Sequence, residues 1–308
     1  MTGPAPTGPA PGSGGPRPAP GSGDPAPASG SGDPRDNPID GSGTARARCV
    51  LAPNPSPMTL DGTNTWLIAE PGATEAIVID PGPEHQGHLR RVRDTAEQAG
   101  LRIAQIILTH GHPDHSEGAR TFADLTGAPV RAVDPAHRLG SEGLPPGAVV
   151  SVGGCEIEVI ATPGHTIDSV SLYLRADAAV LTGDTVLGRG TTVIAHDGNL
   201  GDYLTSLDTL HTLADKTELR ALLPGHGPLL GDPLGALDFY IKHRAERIAE
   251  IKAALAAGDR TKDEIVARVY AQVPRVLWPA AAQSVTAQLK YLADRGELPA
   301  DMVTGEAS

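Results

Sequence analysis

The chain has 308 residues, a formal net charge of −12 and an aromatic content of only 3%. This length allows two domains, and the acidic balance counts against strong non-specific binding to polyanions. The sequence shows neither the apolar core of a signal peptide nor an apolar stretch long enough to span a membrane. We therefore expect a cytoplasmic protein without a membrane partner.

The two ends of the chain differ in composition from its middle. Residues 1–45 are rich in Pro, Gly and Ser, and such a segment cannot bury enough apolar surface to offset its conformational entropy. We predict a disordered tail at 1–45 and a disordered C-terminus at 301–308. Between them, a strand–loop pattern predicts one domain at 46–232, and a helical pattern predicts a second at 233–300.

The segment Thr-His-Gly-His-Pro-Asp-His at 109–115 concentrates nitrogen and oxygen donors at the end of an apolar run. The donors are His110, His112, Asp114 and His115. The preceding run, 103–108, is short and β-branched, which predicts a buried strand. The first two histidines point the same way in extended chain, while the carboxylate and third histidine follow a proline and can serve a second position. Such donors suit a borderline metal such as zinc.

Three later segments each place one more candidate ligand directly after an apolar run. The ligands are His165 in Thr-Pro-Gly-His-Thr, Asp184 in Thr-Gly-Asp-Thr and His226 in Pro-Gly-His-Gly-Pro. Each of these segments alone is typical of an ordinary turn. Loops held by a rigid sheet are where metal-binding and catalytic groups usually lie, so their joint occurrence predicts a metal site.

These motifs resemble those of the metallo-β-lactamase superfamily, H-x-H-x-D-H followed by a later His, a later Asp and a final His. The resemblance covers about residues 47–230, with every ligand position filled. It implies an α/β fold, a four-layer αββα sandwich with two divalent metals in a cleft between the sheet edges. By position, it implies a first metal held by His110, His112 and His165, a second held by Asp114, His115 and His226, and Asp184 as a bridge.

Two carboxylates and two cysteines refine this expectation. Asp80 matches the early Asp of the superfamily, which typically accepts a histidine N–H so that the other ring nitrogen faces the metal. Asp184 stands where the best-known β-lactamases have a cysteine thiolate, and a carboxylate can bridge two cations, which favours a symmetric dinuclear hydrolase. Cys49 and Cys155 lie outside the ligand set, and we do not expect a disulfide between them.

The C-terminal part predicts three helices, over 235–257, from a capping box at Thr261 towards Pro274, and over 280–295. Their order resembles the winged-helix-like domain of the lactamase-β-like-2 branch, which is related to metal-dependent endoribonucleases. A wing is not evident as a strand pair, and few aromatic side chains are available to stack on bases. We therefore favour a module that shapes the cleft over one that contacts RNA.

The expected chemistry is hydrolysis by a hydroxide that bridges the two metals, since the cations lower the pKa of bound water toward about 7. Asp114 and Asp184 are the predicted catalytic residues, the former because it also orients this hydroxide. Zinc is the expected metal, with Mn²⁺ or Fe²⁺ as alternatives. A general acid is not evident, and for His196 and Tyr203, which lie near the motifs, a structural role is favoured.

The same centre could act on several substrates. Whole-chain resemblance favours phosphodiester bonds of single-stranded RNA. The alternatives are thioesters, cleaved by glyoxalase II-like enzymes that usually place a histidine where this chain has Gly111, and lactones or other esters. A non-catalytic binding protein is disfavoured because a structural site needs no open dinuclear geometry. The sequence indicates no obligate protein partner and leaves the oligomeric state open.

Overall fold

Two five-stranded sheets form the centre of the structure, a computed structural model that describes residues 33–299 and residue 302. The first sheet has its strands in chain order: β1 (Ala47–Leu51), β2 (Asn64–Ile68), β3 (Glu75–Ile79), β4 (Arg102–Ile107) and β5 (Val130–Arg131). Strands β1 to β3 pair antiparallel, whereas β3, β4 and β5 pair parallel. Parallel pairing requires crossovers, and these carry the helices of the outer layer.

The second sheet has the order β10-β9-β8-β7-β6. Its strands are β6 (Val149–Val152), β7 (Cys155–Ala161), β8 (Val170–Leu174), β9 (Ala179–Gly183) and β10 (Ala221–Pro224). Strands β6 to β9 pair antiparallel, and β10 joins β9 in parallel.

Alternating side chains along the strands separate an inner core from two outer ones. Ile77 and Ile79 face the second sheet, where they join Ile157 and Leu172 in one apolar cluster, whereas Val78 faces the helices outside. This alternation follows from the two-residue repeat of a strand. Both cysteines lie in the inner core as free thiols.

Helices cover both outer faces of the sheet pair. On the first sheet lie α1 (Gln86–Gln98), the single turn α2 (Pro113–Ser116) and α3 (Ala119–Thr126). On the second sheet lie α4 (Leu200–Thr217) and the first half of α5 (Pro233–Ala256). The layers are therefore helix, sheet, sheet, helix, which confirms the predicted αββα sandwich.

The C-terminal helices form a second, smaller core. They are the end of α5, α6 (Lys262–Val269) and α7 (Trp278–Asp294). The predicted capping box is present, since the Thr261 hydroxyl accepts from the Glu264 N–H and the Glu264 carboxylate accepts from the Thr261 N–H. Although α5 has 24 residues, no helix of the described residues is both long and apolar enough to cross a membrane.

Part of the segment that was predicted to be a tail, residues 33–45, contacts the core. Within 33–45, Ile39 is 6% exposed and belongs to the inner core, and the Asp40 carboxylate accepts from the Leu51 N–H at 2.7 Å. An average composition over 45 residues hides these two anchoring side chains. The rest of the predicted tail, 1–32, lies outside the described residues, as do 300, 301 and 303–308 of the C-terminus.

Candidate metal centre

All seven predicted ligands meet where the strands of both sheets end. The loops after β4, β7, β9 and β10 carry them, and their nitrogen and oxygen atoms form three overlapping groups within 4.8 Å. The groups are His110, His112 and His165; His110, His115 and Asp184; and Asp114, His115 and His226. The sequence prediction that these side chains converge is therefore matched by the geometry.

His112 and His165 face each other across the cleft, with His165 Nε2 3.0 Å from His112 Nδ1. The far nitrogen of each ring is anchored. His165 Nδ1–H donates to the Val193 carbonyl at 2.8 Å, and His112 Nε2 lies 3.1 Å from Asp197 Oδ2. Each ring thus presents its other nitrogen to a common centre, which is the arrangement of an oriented metal ligand.

Asp80 connects the start of the motif loop, at Thr109, with its end, at His115. Its carboxylate accepts from the Thr109 backbone N–H at 2.7 Å and from His115 Nδ1–H at 2.9 Å. The expected contact between this early Asp and a ligand histidine is therefore present. Asp80 is 1% exposed and adopts φ 51°, a left-handed conformation that is costly for a residue other than glycine.

Asp114, His115 and His226, called the second group from here on, combine a carboxylate with two imidazoles. Asp114 Oδ2 lies 3.1 Å from His226 Nε2 and 3.4 Å from His115 Nε2, and the two ring nitrogens are 3.2 Å apart. The opposite side of the His226 ring donates from Nδ1–H to the Gly62 carbonyl at 3.1 Å. The loop before β2 thus orients a ligand that follows β10.

Asp184 lies between this second group and the group of His110, His112 and His165, called the first group from here on. Its Oδ1 is 3.4 Å from His115 Nε2, and its Oδ2 is 3.4 Å from His226 Nε2 and 3.7 Å from His165 Nε2. The approach depends on Gly225, because a Cβ there would lie 2.5 Å from Asp184 Oδ1 and 2.7 Å from His115 Cε1. Glycine beside the final histidine is therefore a steric requirement of the site.

The electrostatic environment divides the histidines into two kinds. Burial, helped by the charge of His115, holds the pKa of His110 well below its usual range, and burial also lowers the pKa of His165. Burial opposes protonation of His115 and His226 as well, but the surrounding carboxylates outweigh it. They raise the pKa of His226 to about 9 and the pKa of His115 well above its ordinary value.

Two buried polar atoms at the centre lack a hydrogen-bond partner among the described residues, His110 Nε2 and Asp184 Oδ1. Leaving such atoms unpaired costs about 1–3 kcal/mol each, and more for a charged group. Two pairs of ring nitrogens also face each other, His112 with His165 at 3.0 Å and His115 with His226 at 3.2 Å, and each of these nitrogens needs a partner. Divalent cations bound by imidazole and carboxylate would satisfy all of these atoms, so the residues fit the predicted metals.

Other candidates from the sequence lie outside this centre. His196 is exposed, and Tyr203 is fully buried, where its hydroxyl donates to the Thr185 carbonyl at 2.6 Å. The favoured structural role is consistent with this position of Tyr203.

Three neighbours of the motif were missed from the sequence: Asp197, His137 and Asp168. A Cβ at Gly111 would lie 2.7 Å from His137 Nε2 and 3.3 Å from Asp168 Oδ2. The space that a side chain at this position would enter is thus filled by a histidine from a distant loop. Each of these three residues stands alone in its loop, outside any motif with a characteristic spacing, so the sequence could not identify it.

This fold and ligand arrangement define a metallo-β-lactamase-type protein. The chain matches the Metallo-beta-lactamase superfamily over residues 58–248 and the Beta-lactamase associated winged helix domain over 261–298. The chain therefore belongs to the metallo-beta-lactamase superfamily, whose members are generally metal-dependent hydrolases. The second match confirms the predicted winged-helix-like module.

Relatives match over most of the chain. The chain is 33% identical to the Beta-lactamase-like protein 2 homolog of Caenorhabditis elegans, over 84% of this chain and 88% of that protein. It is 30% identical to the homologue of the same name in Drosophila melanogaster, over 81% and 88%. It is also 30% identical to the Atrochrysone carboxyl ACP thioesterase of Aspergillus fumigatus, over 73% of each.

Solved structures support the same architecture. A metallo-beta-lactamase family protein from Thermus thermophilus has a TM-score of 0.67 at 21% identity, covering 81% of this chain and 94% of that one. A beta-lactamase domain protein from Burkholderia ambifaria has a TM-score of 0.70 at 21% identity, covering 82% and 88%. At this level of identity the likeness concerns the fold.

Proposed function

We propose that the protein is a dinuclear metal-dependent hydrolase. The observation that carries this proposal is the position of Asp184, which lies within 3.7 Å of a histidine nitrogen of both ligand groups. A carboxylate with two oxygens can hold two cations in one cleft. A single mononuclear site would need only one of the two groups.

In this proposal each group holds one metal, and zinc fits the donor set, with Mn²⁺ or Fe²⁺ as alternatives. His110, His112 and His165 hold the first cation, Asp114, His115 and His226 hold the second, and Asp184 contacts both. When bound, two divalent cations supply Lewis acidity and a hydroxide nucleophile at neutral pH. Asp80 and Asp197 fix the orientation of two of the ligand rings.

Asp114 has a second role in this proposal. Its Oδ2 contacts His226 and accepts from the Thr63 hydroxyl at 3.2 Å, whereas Oδ1 takes no part in these contacts. The side chain is 28% exposed, so it lies at the open side of the cleft. Its free oxygen is positioned to accept a hydrogen bond from the attacking water and to orient it toward the substrate.

The substrate that we propose first is the phosphodiester bond of single-stranded RNA. Two cations in one cleft suit in-line displacement at phosphorus, because they can stabilise both the attacking and the leaving oxygen. Arg189, in a glycine-flanked loop beside the centre, is 32% exposed and held by Asp61 at 2.6 Å. Its guanidinium supplies a cation for a backbone phosphate. The choice of RNA comes from the resemblance to the endoribonuclease-related branch, and the likeness to the Beta-lactamase-like protein 2 homologs, over 84% and 81% of this chain, agrees with that branch.

A second candidate substrate is an acyl thioester, which two specific observations favour. One relative at 30% identity is named as an acyl-carrier-protein thioesterase. Ile167, two residues after His165 in the same loop, is 82% exposed. An exposed apolar side chain in a loop that carries a ligand suits an acyl chain better than it suits a polyanion.

Parallel assays test the proposal and decide between the substrates. The zinc-loaded and manganese-loaded protein is incubated with an end-labelled single-stranded RNA and, separately, with an acyl thioester, beside the Asp184→Asn variant. Cleavage of RNA by the wild type alone supports the first substrate, and hydrolysis of the thioester alone supports the second. Protein that holds two metals and cleaves neither substrate contradicts both assignments.

A further inference from the structure

We propose a second binding site, for a small phosphate-bearing molecule, in a cavity on the outer face of the first sheet. The cavity has a volume of about 450 Å³ and lies between the edge strand β1 and helix α1. Its size falls within the range of small-molecule sites, about 300–1,000 Å³. None of the seven candidate metal ligands lines it, so the cavity is distinct from the centre described above.

Arginines dominate the walls of this cavity. The charged residues that line it are Arg35, Asp40, Arg48, Arg90, Arg91 and Asp94, four cations against two carboxylates. Arg35 pairs with Asp33 and Arg91 pairs with Asp40, so the unbalanced positive charge of the cavity comes from Arg48 and Arg90. A local excess of one sign of charge attracts ligands of the opposite sign.

Strand alternation places Arg48 beside the helix. Cys49 belongs to the inner core between the sheets, whereas Val50 packs with Leu89 and Val92 of α1 on the outer face. Arg48, two residues before Val50, therefore lies on the same side as α1. It is the one exposed residue of β1.

The carboxylates of the cavity are already engaged. Asp40 accepts from Arg91 Nη1 at 2.9 Å and from the Leu51 N–H, and Asp94 pairs with Arg93 at 2.5 Å. Arg91 also donates to the Leu51 carbonyl. These contacts fix Arg91 and leave neither carboxylate free to neutralise a further arginine.

Arg48 and Arg90 differ from most arginines of the described residues. Arg46, Arg102 and Arg175, for example, each pair with a carboxylate. Within residues 33–299 and 302, neither Arg48 nor Arg90 has an ion-pair or hydrogen-bond partner for its side chain. Two unpaired guanidinium groups that line one cavity can bind an anion together.

The chemistry of the walls indicates the class of ligand. A guanidinium presents a planar fork of donors that matches the oxygens of a phosphate group. Thr95 and Gln98 of α1 add neutral polar groups to the same walls, and these can bind an uncharged part of the ligand. The combination suits a compact molecule with one phosphate end and one polar, uncharged end.

Isothermal titration calorimetry with the full-length metal-loaded protein tests this proposal. Adenosine 5′-monophosphate serves as the probe, since it has a phosphate end and a polar, uncharged end, and adenosine serves as the probe without phosphate. The test variant is Arg48→Ala with Arg90→Ala. The control is Arg120→Ala with Arg220→Ala, which removes two exposed arginines outside the cavity and changes the net charge equally.

We expect the monophosphate to bind the wild type and the control alike. In the test variant the Kd should rise by at least about tenfold, since each lost charged hydrogen bond is worth about one to two decades. Adenosine should bind none of the proteins. Hydrolytic activity should be the same in all three, because neither arginine contacts the metal centre.

Three results would overturn the proposal. The first is no binding of the monophosphate to the wild type at millimolar concentration. The second is an equal Kd in the test and control variants, which would assign the binding to the metal centre. The third is a response limited to a single-stranded RNA oligonucleotide, which would make these arginines part of a nucleic-acid surface.

Discussion

The two ligand groups share one cleft but differ in their protonation. In the first, burial lowers the pKa of His110 and His165, so these rings are neutral and ready to bind a cation. In the second, the carboxylates around His115 and His226 raise the pKa of both rings, so each holds a proton when no metal is bound. A metal therefore meets less competition from protons at His110 and His165 than at His115 and His226, where it must displace them.

This difference has a structural origin. The first group has three imidazoles as its ligands, with Asp184 near His165 and Asp197 beside the outer nitrogen of His112, whereas the second group has a carboxylate, Asp114, among its own ligands. The mixed group is the harder set of donors. The two positions are therefore expected to differ in affinity and in metal preference, although they share a bridging side chain.

The largest expected effect comes from removing the group that the two sites share. Asp184→Asn keeps the size of the side chain but removes its charge, and turnover should fall by at least about a hundredfold, since metal-centred charge stabilisation is worth several kcal/mol. The matched control is Asp208→Asn, an exposed site on α4. Unchanged turnover in Asp184→Asn with its metal content intact would refute the dinuclear assignment.

Deleting one ligand from each group should separate the two metals. His165→Ala should lose the first metal preferentially and His226→Ala the second, so each variant should retain about one equivalent on the proposed stoichiometry of two. Inductively coupled plasma mass spectrometry after dialysis measures the ratio. Loss of both metals in both variants would mean that the groups act as one site.

Substituting the residues that orient the ligands should weaken metal binding less than removing a ligand does, and should again affect one group more than the other. Asp80→Asn removes the negative charge and one of the two acceptor oxygens beside His115 in the second group, and Asp197→Asn does the same beside His112 in the first. Such changes typically weaken metal binding by about 10–100-fold. Competition with a chromophoric chelator gives both affinities, and a reversed selectivity would contradict the assigned contacts.

Changing the pH should shift the affinity of only one group. The pKa of His226 is raised to about 9, so below that value a metal must displace its proton, and the affinity of the second group should rise with pH up to about 9. The expected slope is about tenfold per pH unit for each proton displaced. The first group should change little between pH 7 and 9. Metal affinities are measured by calorimetry. An equal dependence on pH at both groups would contradict the predicted difference in their protonation.

Much of the centre could be predicted because its ligands occur in dense motifs directly after apolar strands. The motif follows β4, and the geometry brings His110 and His112 together with His165. The αββα layer order was implied by the resemblance to the superfamily that these motifs carry. Such patterns can be recognised in the sequence because each ligand lies in a short turn, with its own Gly or Pro residues, directly after an apolar strand.

Other features depend on contacts between distant segments and left no local pattern. Asp197 is one carboxylate in an irregular loop, and only the folded chain brings it to His112, 85 residues earlier. The Gly62 carbonyl that orients His226 is a backbone group that any residue could supply. The order around Ile39 was hidden by the surrounding Gly and Pro. The unpaired arginines of the β1–α1 cavity likewise emerge only from the assembled sheet and helix.

Stoichiometric reconstitution measures how many metal ions hydrolysis requires. Zinc is added in fractions of an equivalent to metal-free protein, and the rate of hydrolysis is followed with the RNA oligonucleotide and with the acyl thioester. We expect the rate on the cleaved substrate to rise until two equivalents are bound. A full rate at one equivalent, with no further change at two, would contradict a dinuclear hydrolase.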